Sequence, residues 1–352
     1  MTPRSRNPFG WVLVALTGVV VGCSSSSTTE PAMSTAGAST PDAPSPSPPA
    51  RPTRIVGPPA KTIPFRALDP AVVTVANPDG IVAVGHDLWI KTDDGRAVRI
   101  DPGTNEVTGQ VGLDRVSDPS RYCQGIGTDG TSMWACATEQ DGTAVAQIDA
   151  GNARVRRRVP VDKLFDQLSL PADDRGIWVL TGDGSTVVVV DPRSAHTTAY
   201  PLGVACQQIA VEGDRLVATS SVAIVVVQLD TTTGTVIGRT HLPSPRIAAL
   251  LDGEAWVDSN QGITRFGPDL ATRAVYPRLV ASAGGDVVAA AGSIWVRTGE
   301  GTIFRIDPAT GQVVERLTPD RPLTGGSLYI AFGSIWTTSN DDDRVVRLRL
   351  EP

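Results

Sequence analysis

The sequence predicts an all-β fold, a seven-bladed β-propeller of four-stranded blades, preceded by a signal peptide and a disordered linker. Three observations predict it. A Trp-centred strand recurs about every 40 residues, most copies continue into a second strand that ends in an Asp-containing turn, and the final copy lacks its fourth strand. About 40 residues that form four short strands are the size of one propeller blade.

The first 22 residues have the features of an export signal. Two arginines precede the apolar run Trp11–Val21, which is too short to span a bilayer. The run ends in VVGC, with four serines after Cys23, and this resembles the lipobox of bacterial lipoproteins. The resemblance implies cleavage before Cys23, acylation of its thiol and anchoring to the outer face of the cell membrane, with an outer membrane as the alternative. A plain secretory signal with an incidental cysteine is the other interpretation.

Residues 23–64 are predicted to be the lipidated cysteine and a Ser/Thr/Pro-rich disordered tether. Residues 24–64 contain ten prolines, and this composition cannot bury a core. The propeller then occupies residues 65–352, which have 26 basic and 35 acidic residues. This acidic balance disfavours nucleic acid and anionic membrane surfaces as partners, so contact with the membrane would depend on the N-terminal lipid.

The repeat has seven copies, with steps of 38 to 45 residues between them. Its central residue is Trp in six copies and Leu in one: Trp89, Trp134, Trp178, Leu216, Trp256, Trp295 and Trp336. The seventh copy has only three strands before the chain ends. We therefore expect the segment Ala71–Asn77 to complete the last blade, which removes two open edges. A β-sandwich or two smaller β domains is the alternative architecture.

The repeats resemble YVTN-type propeller repeats, and most of all those of streptogramin-lyase-like (virginiamycin B lyase-like) propellers. The shared features are a Gly-x-Ile-Trp-Val strand and an Arg-Ile-Asp-Pro-x-Thr-Gly strand and turn, as in the sixth copy. In that family the lyases use a His and acidic residues with Mg²⁺ at the channel mouth. His86, His196 and His241 match no such position, so no catalytic residue, metal ligand or cofactor is carried over.

Two of the remaining cysteines are predicted to form a disulfide. A two-residue turn at Asp129-Gly130 would set Cys123 directly opposite Cys136 on a hairpin. Exported proteins retain disulfides, and antiparallel partners at a non-hydrogen-bonded site lie close enough to be bridged. Cys206 would remain free. Two buried thiols are the alternative.

The channel mouth is the default binding site of a propeller, built from the start of each inner strand and the loop before it. The repeat alignment predicts that this face includes Asp79, Arg121, Tyr122, Asp166, Gln167, Arg246 and Asp286. These residues contain no nucleophile–base pair and no clear metal cluster. The favoured hypothesis is a monomeric, non-catalytic lipoprotein that binds a protein or glycan of the cell envelope. A metal-dependent lyase or lactonase and a small-molecule sensor are the alternatives.

Overall fold

Seven β-sheets form a ring in the computed structural model, which describes residues 53–54, 57–118, 122–165, 167–281 and 284–350. Each sheet is one blade, and its first strand lies innermost against the first strands of the neighbouring blades. The predicted seven-bladed propeller is thereby confirmed.

The strands follow the repeat in order. Blade 1 contains β4 (Pro78–Val84), β5 (Asp87–Thr92), β6 (Arg96–Asp101) and β7 (Glu106–Gly112). Blade 2 contains β8 (Ile126–Thr128), β9 (Ser132–Glu139), β10 (Gly142–Asp149) and β11 (Arg154–Val161). Blade 3 contains β12 (Ala172–Asp173), β13 (Gly176–Thr181), β14 (Thr186–Val190) and β15 (Thr197–Pro201). Blade 4 contains β16 (Gln208–Glu212), β17 (Arg215–Ser220), β18 (Val225–Asp230) and β19 (Thr235–His241).

The last three blades also include strands from the beginning of the chain. Blade 5 contains β20 (Ala248–Leu251), β21 (Glu254–Ser259), β22 (Gly262–Phe266), β23 (Thr272–Tyr276) and, at its edge, β1 (Thr53–Arg54). Blade 6 contains β24 (Asp286–Ala290), β25 (Ser293–Arg297), β26 (Ile303–Asp307), β27 (Gln312–Thr318) and, at its edge, β2 (Lys61–Pro64). Blade 7 contains β28 (Leu328–Ala331), β29 (Ser334–Ser339), β30 (Arg344–Arg349) and β3 (Ala71–Thr74). Short 3-10 helices occupy Phe65–Ala67 and Asn340–Asp342.

The ring closes as the incomplete seventh repeat predicts. Strand β3 pairs antiparallel with β30, and Val72 lies opposite Val346. This arrangement supplies the outer strand that the final repeat lacks, so a strand that precedes the first blade completes the last one.

Strands form before residue 65, which is the predicted start of the propeller. Strand β2 runs parallel to β27, with Lys61 alongside Glu315 and Pro64 alongside Thr318. Ile63 and Phe65 are buried in the cluster between blades 6 and 7. An outer strand has free backbone groups along its edge, so a segment that brings apolar side chains can pair there despite its prolines.

The repeat Trp side chains form the main packing layer. All six in the blades are at most 1% exposed. In three blades the residue directly across from the Trp on the third strand is an arginine that stacks on the indole, such as Arg265, 5.0 Å from the centre of the Trp256 ring. Such a pair adds about 0.5–2 kcal/mol to the area that the Trp buries.

Arginine side chains also join consecutive blades on the face opposite the mouth. They donate to main-chain carbonyls in turns of the next blade: Arg99 to Ala150, Arg157 to Arg193, Arg175 to Gly213 and Arg347 to Pro102. The last of these contacts links blade 7 to blade 1. Ring closure is therefore fixed by side chains as well as by β3.

The predicted disulfide joins Cys123 and Cys136, whose Cα atoms are 5.9 Å apart. The predicted register was wrong by two residues, because Thr128 pairs with Met133 and the turn is longer than Asp129-Gly130. The Asp129 carboxylate accepts hydrogen bonds from the main-chain N–H of Ser132 and the indole N–H of Trp134, which stabilises this wider turn. The disulfide still forms, because a diagonal pair lies within bridging distance.

Candidate functional site

The mouth face consists of the loops that connect one blade to the next, together with the turns between second and third strands. The inter-blade loops span residues 75–77, 113–125, 162–171, 202–207, 242–247, 277–285 and 319–327. Two of the predicted mouth residues, Arg121 and Asp166, lie outside the described residues, as does Cys23.

Side chains at one equivalent position of the second strands attach several of these loops to the ring. It is two residues after the repeat Trp, or after Leu216 in blade 4, and its side chain is buried in every blade. The residues at this position are Lys91, Cys136, Leu180, Ala218, Asp258, Arg297 and Thr338. Three of them are ionisable groups on strands that are otherwise mostly apolar. We call this the Trp+2 position.

Arg297 is the most extensively bonded of the Trp+2 residues. Its guanidinium is fully buried and donates to the hydroxyl of Thr337 at 2.8 Å and to the main-chain carbonyls of Gly325 and Thr338 at 2.8 and 3.0 Å. Burial lowers the pKa of Arg297 to about 10, and the carboxylates of Asp286 and Asp79 partly oppose that shift. The loop at 319–327 is thus fixed to blades 6 and 7 by one side chain.

Asp286, a predicted mouth residue, begins the inner strand of blade 6 directly opposite Arg297. Its carboxylate accepts hydrogen bonds from the main-chain N–H groups of Val287 at 2.8 Å and Leu328 at 3.0 Å. The second bond crosses to the inner strand of blade 7. Burial raises the pKa of Asp286 to about 6, although these hydrogen bonds and Arg297 favour the charged form.

Arg246, also predicted at the mouth, forms an ion pair with a buried carboxylate. Its Nε lies 2.9 Å from Oδ2 of Asp258, which is fully buried, and the other Asp258 oxygen accepts from the N–H of Ala281. Burial raises the pKa of Asp258, and the charge of Arg246 is the largest opposing influence. Arg246 therefore neutralises a structural carboxylate, although about a third of its side chain remains exposed.

The other described mouth residues also contact the chain itself. The Gln167 amide is fully buried, donates to the carbonyl of Ser169 and accepts from the N–H of Leu180. The hydroxyl of Tyr122 donates to the carbonyl of Val116 at 3.1 Å. Asp79 is buried, and its main-chain carbonyl accepts a hydrogen bond from the hydroxyl of Thr338.

The mouth of blades 1 and 2 has a buried ion pair beneath a long loop. Lys91 Nζ lies 3.8 Å from a carboxylate oxygen of Asp114, and both side chains are 1% exposed. The other Asp114 oxygen accepts from the N–H of Thr138 at 2.6 Å. Burial raises the pKa of Asp114, and Lys91 is the first of the influences that lower it. With the Cys123–Cys136 disulfide, this pair attaches both ends of the loop at 113–125.

Sequence reasoning did not single out Arg297 or Asp258. The available signal was a charged residue two positions after Trp, at the end of an apolar run within the strand. Among the described residues, no group of three or more His, Cys, Asp or Glu side chains could hold a metal ion. The same ranges contain no helix that is long and apolar enough to cross a membrane.

Comparisons with known proteins identify a fold and no family. No family model matches the chain, and no curated protein matches it. The chain is similar to BamB from Moraxella catarrhalis, with a TM-score of 0.52, 14% identity, and coverage of 80% of this chain and 98% of that chain. It is also similar to the β-propeller domain of Cps50 (Swd1) from Myceliophteria thermophila, with a TM-score of 0.62, 15% identity, and coverage of 80% and 100%. At this level of identity the similarity shows that the chain is a β-propeller.

Proposed function

We propose that this protein is an extracytoplasmic lipoprotein, anchored through Cys23, whose propeller binds a protein or glycan of the cell envelope without catalysing a reaction. The export signal and lipobox-like sequence support the anchor. The resemblance of the repeats to YVTN-type propellers remains a prediction.

The observation that favours binding is that the ionisable groups at the mouth form their hydrogen bonds and ion pairs within the fold. Asp286, Arg297, Asp258 and Arg246 bond main-chain groups or one another across blades and loops. Acid–base chemistry needs a group that can exchange a proton with a substrate, and these groups are engaged in the fold. Loops that are fixed in advance lose little conformational entropy on association, which favours a binding role.

A capture experiment with the full chain tests the proposal. The chain, purified in detergent, is immobilised and exposed to solubilised envelope extract, with and without protease treatment of the extract. The mouth variant is Arg115→Glu, at a side chain that is 63% exposed, and the matched control is Arg193→Glu, in an exposed turn on the opposite face. We expect a discrete retained component that Arg115→Glu weakens and Arg193→Glu does not.

The outcomes separate the alternatives. Loss of the component after protease treatment identifies a protein, and resistance to protease with loss after periodate treatment identifies a glycan. Nothing retained by the wild-type chain would contradict the binding function. Retention that EDTA abolishes would favour the metal-dependent alternative.

A further inference from the structure

The turn between the second and third strands of blade 4 differs from the equivalent turns of the ring. In blades 1, 3 and 6 the residue with left-handed backbone geometry is a glycine: Gly95, Gly184 and Gly301. In blade 7 it is Asp343, a residue type that tolerates this geometry, and in blade 4 it is the β-branched Ile224, with a φ of +57°. We call residues 221–224 (Ser-Val-Ala-Ile) the blade 4 turn.

A β-branched residue in this conformation is strained by about 1–2 kcal/mol. Burial of apolar side chains does not offset this strain, because Ile224 is 40% exposed and Val222, at the tip, is 82% exposed. The fold therefore does not explain an aliphatic sequence here. Backbone strain that the core does not require is characteristic of binding and catalytic sites.

The blade 4 turn is held in a fixed position. The N–H of Ser221 donates to the side-chain oxygen of Gln207 at 2.8 Å, and the N–H of Ala223 donates to the hydroxyl of Ser220 at 3.0 Å. The carbonyl of Ile224 accepts from the N–H of Leu242. These bonds join the turn to the loops on both sides of blade 4, so it projects its side chains from a rigid base.

Those two loops expose no charged residue fully. Their sequences are LGVACQ at 202–207 and LPSPRI at 242–247, and the one charge, on Arg246, is paired with Asp258. The mouth of blades 1 and 2, by contrast, presents Arg115, Asp118 and Asp141 as exposed residues. The mouth face thus has an ionic side and an apolar side, and the most exposed aliphatic side chain of the described ring lies on the apolar side.

A convex, rigid and uncharged projection fits an apolar pocket on another protein. A membrane surface is a poorer fit, because residues 65–352 carry nine more acidic than basic residues. We propose that the blade 4 turn inserts Val222 and Ile224 into an uncharged, apolar pocket of a protein partner. This inference rests on the proposed binding function and identifies its contact site.

Photo-crosslinking from the full chain in intact cells tests the inference. A photoreactive benzoyl-phenylalanine replaces Val222, and the matched position is Ile237, which is 57% exposed on the outer strand of the same blade. We expect an adduct with one identified protein from position 222 and none from position 237. The identified protein is then purified and its affinity for the full chain is measured.

The expected effect of Val222→Asp is a loss of affinity of about tenfold or more, because a charge would enter an apolar pocket. Ile237→Asp should change the affinity less than about twofold, as is usual for residues outside a contact. Since Val222 is so exposed, the variant should keep the wild-type Tm. An adduct only with a second copy of the chain or with lipid, no adduct, or adducts from both positions would overturn the inference.

A captured envelope protein whose affinity is unchanged by Val222→Asp would overturn this inference and leave the proposed function intact. Failure of the wild-type chain to retain any component would instead contradict the proposed function.

Discussion

Replacement of Arg297 by methionine should be among the most destabilising substitutions in the ring. The guanidinium is fully buried and donates to carbonyls of Gly325 and Thr338, as well as to the hydroxyl of Thr337. Methionine fills a similar volume but donates no hydrogen bond, so these acceptors would be left unsatisfied. Removing one partner from a buried charged network costs about 3–5 kcal/mol.

Thermal unfolding followed by circular dichroism or calorimetry measures this loss. At about 2–4 °C per kcal/mol, we expect the Tm of Arg297→Met to fall by about 6–20 °C. The matched control is Arg305→Met, in the same blade. Arg305 lies 5.5 Å above the Trp295 ring with a side chain that is 38% exposed, so its loss should cost no more than about 2 kcal/mol.

Arg297→Lys separates charge from geometry. Lysine keeps the positive charge but cannot reproduce the planar set of donors, so its Tm should fall between those of the wild type and Arg297→Met. If Arg297→Met lost no more stability than Arg305→Met, the assignment of Arg297 as the residue that joins blades 6 and 7 would be wrong.

Four further outcomes are expected. Because the pKa of Asp286 is raised to about 6 in the folded protein, its ionisation lowers the free energy of unfolding as the pH rises from about 4 to above 6. The Tm of Asp286→Asn relative to that of wild type should therefore be higher at pH 7 than at pH 4, and a difference independent of pH would contradict the shift. Cys123→Ser should lower the unfolding free energy by about 3 kcal/mol in non-reducing buffer, and no effect would show that the disulfide is dispensable. Arg347→Met should cost about 1–3 kcal/mol because the carbonyl of the next blade loses a charged donor, and a Tm equal to that of wild type would refute the closure role. Cys23→Ser should abolish incorporation of radiolabelled palmitate and release the chain from the membrane fraction, whereas retained label would place the lipid elsewhere.

The fold could be predicted because its signal is periodic. The Trp at each second strand must be buried between blades, so its spacing reveals the blade length, and the missing fourth strand of the last repeat reveals the closure by Ala71–Thr74. Strand β2 gave no such signal. It pairs in parallel with an outer edge that exists only after blade 6 has formed, and its four residues lie in a proline-rich sequence.

The candidate site was predicted less completely, because residue type does not reveal hydrogen-bond partners. Arg246 is of a residue type that often binds ligands, yet it neutralises Asp258, which lies 12 residues later on β21. Gln167 is likewise polar and near the mouth, but its amide is used by Ser169 and Leu180. Only the packed loops determine which polar groups remain available to a ligand.

The pairing of β3 with β30 also constrains when the protein can fold. A ribosome synthesises Val72 long before Val346, its partner, so the last blade stays open until nearly the entire chain exists. Contacts between residues so distant in sequence require costly loop closure, which makes native assembly slow. Until then β3 has no native partner, and an unpaired strand can associate with another chain. The strand that seals the finished ring is therefore also the segment most prone to misassembly during biogenesis.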